Sequence, residues 1–458
     1  MEEFDLVVIG GGPAGYSGAL RAAEDGARVA LVEAENLGGN CVNHACVPSR
    51  ILLDIAEQSI RNRELEFAGV VAPASTVVDF ARAAARKDSL VSELRSAVGA
   101  ALRHGRVKHF DGRGALSAPG RVLLDLREGG NTEVLTANVL LATGSRAELP
   151  TLPDARPLDA ITADALWIAR ELPAEGVVVR GEQGSPIFAA EVAYLLAVFG
   201  STVTLIEQGD SLLPGEEPEL SVALRQSLEA LGVSVLTRAR VTGRTGSTVT
   251  VNQTVEVPAD AVVIGDCRVP FDGGSGLREL GAAYDGLSIV VDDKQRTSVA
   301  SVFAAGDATG VGFSNVAAAC GRRAAESALG LLPTIDLRFT PRAITTFPEF
   351  AAVGVTEAEA VAAGYDVITG VADLSFNARA ISSGARQGAV KVVSERRLHQ
   401  ILGVHILGAQ ASELINQASL AMRLEATLED LAAVPGWHPT LSEGLGVAAR
   451  RALRAAGS

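Results

Sequence analysis

The 458-residue sequence predicts an α/β protein built from two doubly wound units and a C-terminal α+β domain. A strand-like run, a glycine-rich turn and a helix occur at residues 7–15 and again at 176–189. Each copy is followed by a second strand that ends in a glutamate, Glu33 or Glu207. After about residue 336, the pattern changes to proline-containing strands followed by helices. At roughly 150 residues per domain, the length suits about three domains.

The composition predicts a soluble, acidic protein with substantial cores. Hydrophobic residues make up 48% of the chain, and 40 Lys and Arg against 54 Asp and Glu give a net charge of −14. Because such a surface repels a phosphate backbone, we expect no nucleic-acid partner. No apolar run suits a membrane helix, and residues 4–9 form a strand where a signal peptide would be basic. We therefore expect a cytoplasmic protein with no membrane partner, and we predict no metal site.

The first glycine-rich turn has the pattern of a dinucleotide site. Gly10, Gly12 and Gly15 follow a strand and begin a helix. In this pattern the glycines allow a tight turn, the approach of a pyrophosphate and close packing of helix on strand. Glu33, at the end of the next strand, can accept hydrogen bonds from a ribose. An ordinary glycine-rich turn is the alternative, but this setting and the acid favour dinucleotide binding.

The four cysteines are too few for a disulfide-stapled scaffold. Cys41 and Cys46 lie five positions apart, whereas Cys267 and Cys320 are isolated. Two thiols near a helix N-terminus can form a redox pair, because that position lowers the pKa of a thiol. Spacing alone leaves open a second interpretation, in which they are two unrelated buried cysteines.

Several segments, in order, resemble the class I pyridine nucleotide-disulfide oxidoreductases, and dihydrolipoamide dehydrogenase in particular. Residues 39–49 resemble the redox-active segment of that family. The family's second and third flavin contacts, the start of its dimerisation domain and its C-terminal catalytic pair have counterparts at 142–145, 305–307, 345–357 and 438–443. The resemblance implies a homodimer that binds FAD. It also implies an FAD-binding domain at 1–150 and 271–335, an NAD-binding-like domain at 151–270 and a dimerisation domain at 336–458.

The resemblance also implies catalytic roles for four residues. Cys41 is expected to exchange with substrate sulfur, and Cys46 to lie against the flavin. His438, supplied by the other subunit, is expected to take a proton from the incoming thiol, with Glu443 orienting its ring. Thiol exchange needs such a base, because the thiolate is the reacting species. His44, between the cysteines, is either a second base or a bystander.

Further expectations concern the flavin. The resemblance predicts that Arg50 replaces a lysine of the family and pairs with Glu191 beside the flavin. Asp307 is expected to bind the ribityl or phosphate region, although an Asp after a strand is commonly a turn residue. The residues predicted to contact FAD are Gly10, Gly12, Gly15, Glu33, Gly39, Asn40, Thr143, Gly144 and Asp307.

The second unit departs from the family. We predict that Gly184 is its first turn glycine, since it precedes Glu207 by 23 positions, as Gly10 precedes Glu33. Pro186 then stands at the second glycine, where it removes a donor and adds bulk. The turn is three or four residues longer than the family pattern. Glu207 favours NAD over NADP if a dinucleotide binds, but it can also be a plain strand end. NAD is therefore possible but doubtful.

Three functions follow. The first is a dihydrolipoamide dehydrogenase-like enzyme, in which electrons pass between a substrate dithiol, Cys41–Cys46, FAD and NAD. The second is a nicotinamide-independent FAD-dependent dithiol oxidase or dehydrogenase, which acts on a small-molecule or carrier-bound dithiol in a dedicated pathway. The third, a non-catalytic flavoprotein that serves as a binding partner, is disfavoured because no structural role needs all four catalytic residues.

Overall fold

The computed structural model describes residues 2–67, 69, 78–149, 160–181, 187–265, 267–332 and 335–457. Its N-terminal sheet contains five strands that run parallel over part of their length. Their spatial order is Lys108–Ala118, Val29–Glu33, Glu3–Ile9, Asn131–Leu141 and Val302–Ala304. A sixth strand, Arg121–Leu126, pairs antiparallel with the outer parts of two of them. The strands nearest the centre are almost continuously apolar, as expected for a sheet covered on both faces.

Two helices, Pro13–Glu24 and Ser314–Ala328, pack on one face of this sheet. They approach closely because glycine stands at the contact: a Cβ on Gly321 would meet the carbonyl oxygen of Ala14 at 1.9 Å. The first helix begins with Pro13, whose fixed φ and missing N–H suit the first helical position. This packing brings the start of both helices to the carboxyl ends of the strands, where ligands bind in folds of this type.

The second sheet is also parallel. Its strands lie in the order Ser234–Leu236, Thr202–Ile206, Glu175–Val179, Ala261–Ile264 and Ala160–Thr162. The helices Ala163–Trp167, Ile187–Val198 and Pro218–Ala230 belong to this unit. A small antiparallel sheet beside it consists of Val241–Thr245, Thr248–Val251 and Val255–Pro258. In sequence, the helices Gly39–Asn43, Cys46–Phe67 and Phe80–His104 come between two strands of the first sheet, Val29–Glu33 and Lys108–Ala118.

The C-terminal part of the chain is an antiparallel sheet covered by helices. The strand order is Arg342–Ile344, Glu349–Gly354, Ile401–Gly408, Ala389–Glu395 and Val367–Asp373. Its helices are Glu357–Ala362, Ala378–Ser382, Ala411–Arg423, Leu428–Ala433 and Glu443–Ala456. The smaller elements of the chain are the strand pairs Ser145–Ala147 with Arg268–Pro270 and Tyr284–Asp285 with Ser288–Ile289, and the 3-10 turns Gly306–Thr309, Leu337–Phe339 and Leu374–Phe376.

These sheets confirm the predicted α/β class, with two doubly wound units followed by an α+β domain. Residues 302–304 return to the first sheet, as the two-part first domain requires. The exact boundaries at 150, 270 and 335 stay predictions. Within the described ranges, no helix has the length and apolar composition that a membrane span needs.

Candidate active site

The glycine-rich turn of the first unit is shaped by close approaches of its own backbone. Gly10 has φ +105°, and a Cβ there would meet the carbonyl oxygen of Ala142 at 2.2 Å. A Cβ on Gly15 would meet the Gly10 carbonyl oxygen at 1.8 Å. Gly12 differs, because the nearest atom to its Cβ position is the Gly39 Cα at 3.7 Å. The chain itself therefore does not fill the space beside Gly12, and that space opens into a cavity.

The cavity has a volume of about 520 Å³, within the usual range for small-molecule and cofactor sites. It lies at the carboxyl ends of the first parallel sheet. Of the predicted site residues, nine form part of its wall: Gly10, Gly12, Glu33, Gly39, Asn40, Cys41, Thr143, Gly144 and Asp307.

Glu33 faces the cavity from the end of its strand. One carboxylate oxygen accepts a hydrogen bond from the Gly11 N–H at 2.6 Å, and the other accepts one from the Glu35 N–H at 2.7 Å. Burial raises the pKa of Glu33. Each carboxylate oxygen has a second lone pair, so this carboxylate can still accept ribose hydroxyls.

Asp307 also lines the cavity, in the turn after strand Val302–Ala304. It accepts a hydrogen bond from the Ser145 hydroxyl at 2.5 Å, and burial raises its pKa. Arg268 also lines the cavity, donates to the same hydroxyl at 2.9 Å and forms an ion pair with Asp164. Sequence reasoning missed this contact, because Arg268 and Ser145 are 123 positions apart.

The two cysteines lie on successive short elements. Cys41 is inside helix Gly39–Asn43, and Cys46 is the first residue of helix Cys46–Phe67. A hydrogen bond from Cys46 lowers the pKa of Cys41 to about 7, whereas that same bond and burial raise the pKa of Cys46. The Cys46 sulfur also lies 2.9 Å from the Ser314 hydroxyl, at the start of its helix. The structure therefore brings the two thiols together, and Cys41 lines the cavity.

Arg50 does not pair with Glu191 as predicted. Among the described side chains, it forms ion pairs with Glu349 at 3.1 Å and with Asp54 at 3.0 Å. A guanidinium is long and has several donors, so it can bridge to the C-terminal sheet. Glu349 is only 3% exposed, and its other oxygen accepts both the N–H and the hydroxyl of Ser412. Sequence reasoning missed Glu349, which lies 299 positions from Arg50.

Glu191 is instead held by the backbone. It is buried, and it accepts a hydrogen bond from the Thr345 N–H at 2.7 Å. Burial, together with the charge of the Cys46 sulfur, raises the pKa of Glu191 to about 7. The second unit thus contributes a carboxyl group close to the thiol pair, and this group can hold a proton near neutral pH.

His438 and Glu443 form a pair on the surface. The His438 Nδ1 lies 3.1 Å from one Glu443 oxygen, and the Thr440 N–H donates to the other at 2.9 Å. These contacts lower the pKa of Glu443. The imidazole side chain is 70% exposed, and in the described part of the chain neither residue belongs to the cavity wall. The pair is therefore formed within one chain but is available to a neighbour.

The remaining predicted residues fall in different places. Gly184 and Pro186 lie outside the described residues, while Glu207 is buried and accepts hydrogen bonds from Arg180 and Gly209. His44 lines the cavity, Cys320 is buried in the first core and Cys267 is half-buried. No group of three metal-ligating side chains is found among the residues the structure describes.

The cavity residues suit the FAD that the family resemblance implies. The space beside Gly12 would take a pyrophosphate, the start of helix Pro13–Glu24 offers N–H groups to it, and Glu33 would take a ribose. Cys41 and Asp307 line the same space. These residues would hold an FAD, which would supply an electron acceptor in the cavity that Cys41 lines.

Comparisons with known proteins agree with this site. Residues 4–322 match the pyridine nucleotide-disulphide oxidoreductase family, and residues 340–449 match the dimerisation domain of that family. The chain is 32% identical over 466 residues to a dihydrolipoyl dehydrogenase of Bacillus subtilis, and the match covers 98% of this chain and 97% of that protein.

Two solved structures have the same fold. LpdA from Mycobacterium tuberculosis superposes with a TM-score of 0.88 at 30% identity, covering 98% of this chain and 99% of that one. The HOCl-induced flavoprotein disulfide reductase RclA from Escherichia coli superposes with a TM-score of 0.83 at 25% identity, covering 97% and 99%. The dimerisation domain supports the predicted homodimer. The chain therefore belongs to the pyridine nucleotide-disulphide oxidoreductase family, and it is an FAD-dependent disulfide oxidoreductase that resembles the dihydrolipoyl dehydrogenases.

Proposed function

We propose that the chain exchanges electrons between a substrate dithiol and FAD through the Cys41–Cys46 pair. The observation that supports this most strongly is the position of Cys41, which lines the cavity beside Cys46 with its pKa lowered to about 7. Because the thiolate is the exchanging species, a large share of Cys41 is reactive near neutral pH. Transient catalytic disulfides of this kind suit a reducing compartment, so we infer a cytoplasmic location.

The exchange balances as two displacements at sulfur. During dithiol oxidation, one substrate thiolate attacks the Cys41 sulfur of the oxidised pair, the Cys41–Cys46 bond breaks and Cys46 leaves as a thiolate. The second substrate sulfur then attacks the first, which forms the substrate disulfide and releases Cys41. The substrate loses two electrons and two protons, and the pair gains the electrons. FAD, when bound, supplies the acceptor for those two electrons.

His438 acts as the base for the substrate thiol. Glu443 lies on Nδ1 of the ring, so it fixes the orientation and leaves Nε2 to take the proton. Because the pair is exposed and lies outside its own chain's cavity wall, we propose that it serves the cavity of a second copy of the chain. A dithiol bound there would lie between the Cys41 of one copy and the His438 of the other.

The experiment is anaerobic reduction of the purified holoprotein with dihydrolipoamide, followed through the flavin absorbance band. The wild-type protein should bleach, and Cys41→Ser should bleach at least about a thousandfold more slowly, because the exchanging sulfur is lost. Cys267→Ser, which changes a half-buried thiol that is not among the residues lining the cavity, is the matched control and should behave as wild type. Equal bleaching by Cys41→Ser and wild type would contradict the proposal.

A further inference from the structure

The second parallel unit has the same backbone register as the first, so residues can be matched between them. The Gly10 N–H donates to the Val32 carbonyl at 2.8 Å, and the Arg180 N–H donates to the Ile206 carbonyl at 3.2 Å. Each acceptor directly precedes the glutamate that ends its strand. Arg180 therefore stands where Gly10 stands, and it precedes Glu207 by 27 positions, compared with 23 in the first unit.

The arginine changes how the turn leaves the strand. Gly10 has φ +105°, whereas Arg180 is not among the residues with positive φ. Arg180 therefore does not adopt the glycine conformation with which the first unit begins its tight turn beside the pyrophosphate position. Its next described residue after Gly181 is Ile187, in the following helix.

The same arginine also binds the carboxylate of Glu207, the group that would otherwise accept ribose hydroxyls. Glu33 is held by two backbone N–H groups, from Gly11 and Glu35. Glu207 has a matching contact to the N–H two residues later, since it accepts a hydrogen bond from the Gly209 N–H at 2.6 Å. Its other oxygen accepts a hydrogen bond from the Arg180 Nε at 2.6 Å, where the first unit has the Gly11 N–H. Glu207 is 1% exposed. Ribose hydroxyls could reach it only by displacing the partly buried guanidinium of Arg180, which leaves a charge without its partner.

We propose that the Arg180–Glu207 ion pair closes the ribose site of the second unit, so that this unit holds no nicotinamide dinucleotide and serves as a structural domain. These residues do not fit NAD, in contrast to the first unit, whose residues fit FAD. The inference rests on the proposed function in one respect: the cysteine pair then becomes the route by which a substrate reduces the flavin.

The proposal that the ribose site is closed is tested by measuring whether nicotinamide dinucleotides bind. The holoprotein is titrated calorimetrically with NAD⁺ and, separately, with NADP⁺ up to about 1 mM, the upper end of common KM values. No saturable heat supports the proposal, and saturable binding of either nucleotide within this range overturns it. In parallel, anaerobic NADH should leave the flavin band unchanged, while bleaching by NADH overturns the proposal.

The same preparation separates this inference from the proposed function. If dihydrolipoamide bleaches the flavin and NADH does not, both stand. If both reductants bleach it, the function stands and the closed site is wrong. If dihydrolipoamide fails to bleach it, the proposed function is wrong, and the calorimetric titration still decides whether the second unit is closed.

A pair of matched variants tests the ion pair itself. Glu33→Gln should lower the FAD content of the purified protein, because it changes a ligand-facing carboxylate. Glu207→Gln should leave FAD content unchanged but lower the thermal midpoint by several degrees, since it removes one partner of a buried pair. Arg180→Met should do the same, and the double variant should lose less than the sum of the two single losses. Additive losses would overturn the structural role of the pair.

Discussion

The two parallel units keep the same close packing of helix on sheet but place glycine on opposite sides of the contact. In the first, Gly15 on the helix faces Ala142, directly after strand Asn131–Leu141. In the second, Ala189 on the helix faces Gly265, directly after strand Ala261–Ile264. A Cβ on Gly265 would meet the Ala189 Cα at 2.6 Å. The close approach of helix to sheet, which needs a glycine on one side of the contact, is therefore a property of the fold and is present in both units. The glycine that begins the neighbouring turn serves the ligand instead, and in the second unit Arg180 stands at that position.

The largest expected effect comes from filling the space beside Gly15 in the first unit. Gly15→Ala places a Cβ 1.8 Å from the Gly10 carbonyl oxygen, and backbone cannot move aside as a side chain can. We expect a loss of about 3 kcal/mol or more in the free energy of unfolding, together with loss of bound FAD, measured by denaturation and by flavin absorbance.

The matched control is Ala189→Gly in the second unit. It only weakens a helix, at about 1 kcal/mol, and it should keep the full flavin content. Loss of FAD from Ala189→Gly, or full FAD in Gly15→Ala, would contradict the view that the first unit binds the flavin and the second is structural.

The next largest effect concerns Glu191, the carboxyl group that the second unit contributes near the thiol pair. Because the pKa of Glu191 is raised to about 7 by burial, its neutral form is the one that the folded state favours. Its contribution to stability is complete below about pH 4.5 and is lost as the pH rises through 7. Between pH 5 and pH 8 the wild type should therefore lose about 3 kcal/mol relative to Glu191→Gln.

Thermal midpoints of the two proteins across this pH range measure the difference. Glu349→Gln is the control, because Glu349 is paired with Arg50. Parallel pH profiles for wild type and Glu191→Gln would show that the carboxyl group is already ionised at pH 5.

A smaller effect is expected from Arg50→Met, which removes the partner of buried Glu349. Arg50 is 39% exposed, and Ser412 still binds the carboxylate, so the expected cost is about 1–2 kcal/mol rather than the larger value of a fully buried pair. Chemical denaturation measures it. Arg225→Met, which breaks an exposed pair one helical turn apart, should cost about 0.5 kcal/mol or less. Equal costs would show that the Arg50 bridge contributes no more than a surface pair.

The smallest effect should follow Ser314→Ala. The hydroxyl lowers the pKa of both active-site thiols, and a single hydrogen bond contributes about 1 kcal/mol, so the rise should be less than about one pKa unit. The pH dependence of iodoacetamide alkylation of the reduced protein measures it. Ser327→Ala, on the same helix, should leave the profile unchanged. A fall in the thiol pKa in Ser314→Ala would contradict the stabilisation of the thiolates by the Ser314 hydroxyl.

The sequence predicted what is local in the chain. Gly10, Gly12, Gly15 and Glu33 fall within one strand–turn–helix–strand unit, so their spacing alone indicates their arrangement. The fold class followed for the same reason, since repeated units and alternating periodicities are visible in one dimension.

Contacts between distant segments could not be predicted. Cys46 and Ser314 are 268 positions apart, and the partner chosen by Arg50 depends on how the C-terminal sheet packs against a helix near the N-terminus. The assignment of Gly184 from its spacing to Glu207 stays a prediction, and the hydrogen-bonding register instead places Arg180 at the start of this turn.

The exposed position of the His438–Glu443 pair has a genetic consequence under the proposed function. A chain that lacks His438 would still carry an intact cavity and thiol pair, yet it would disable the site of its neighbour rather than its own. In a cell that makes both normal and altered copies, each mixed dimer would keep one working site, so total activity would fall only in proportion to the share of altered chains.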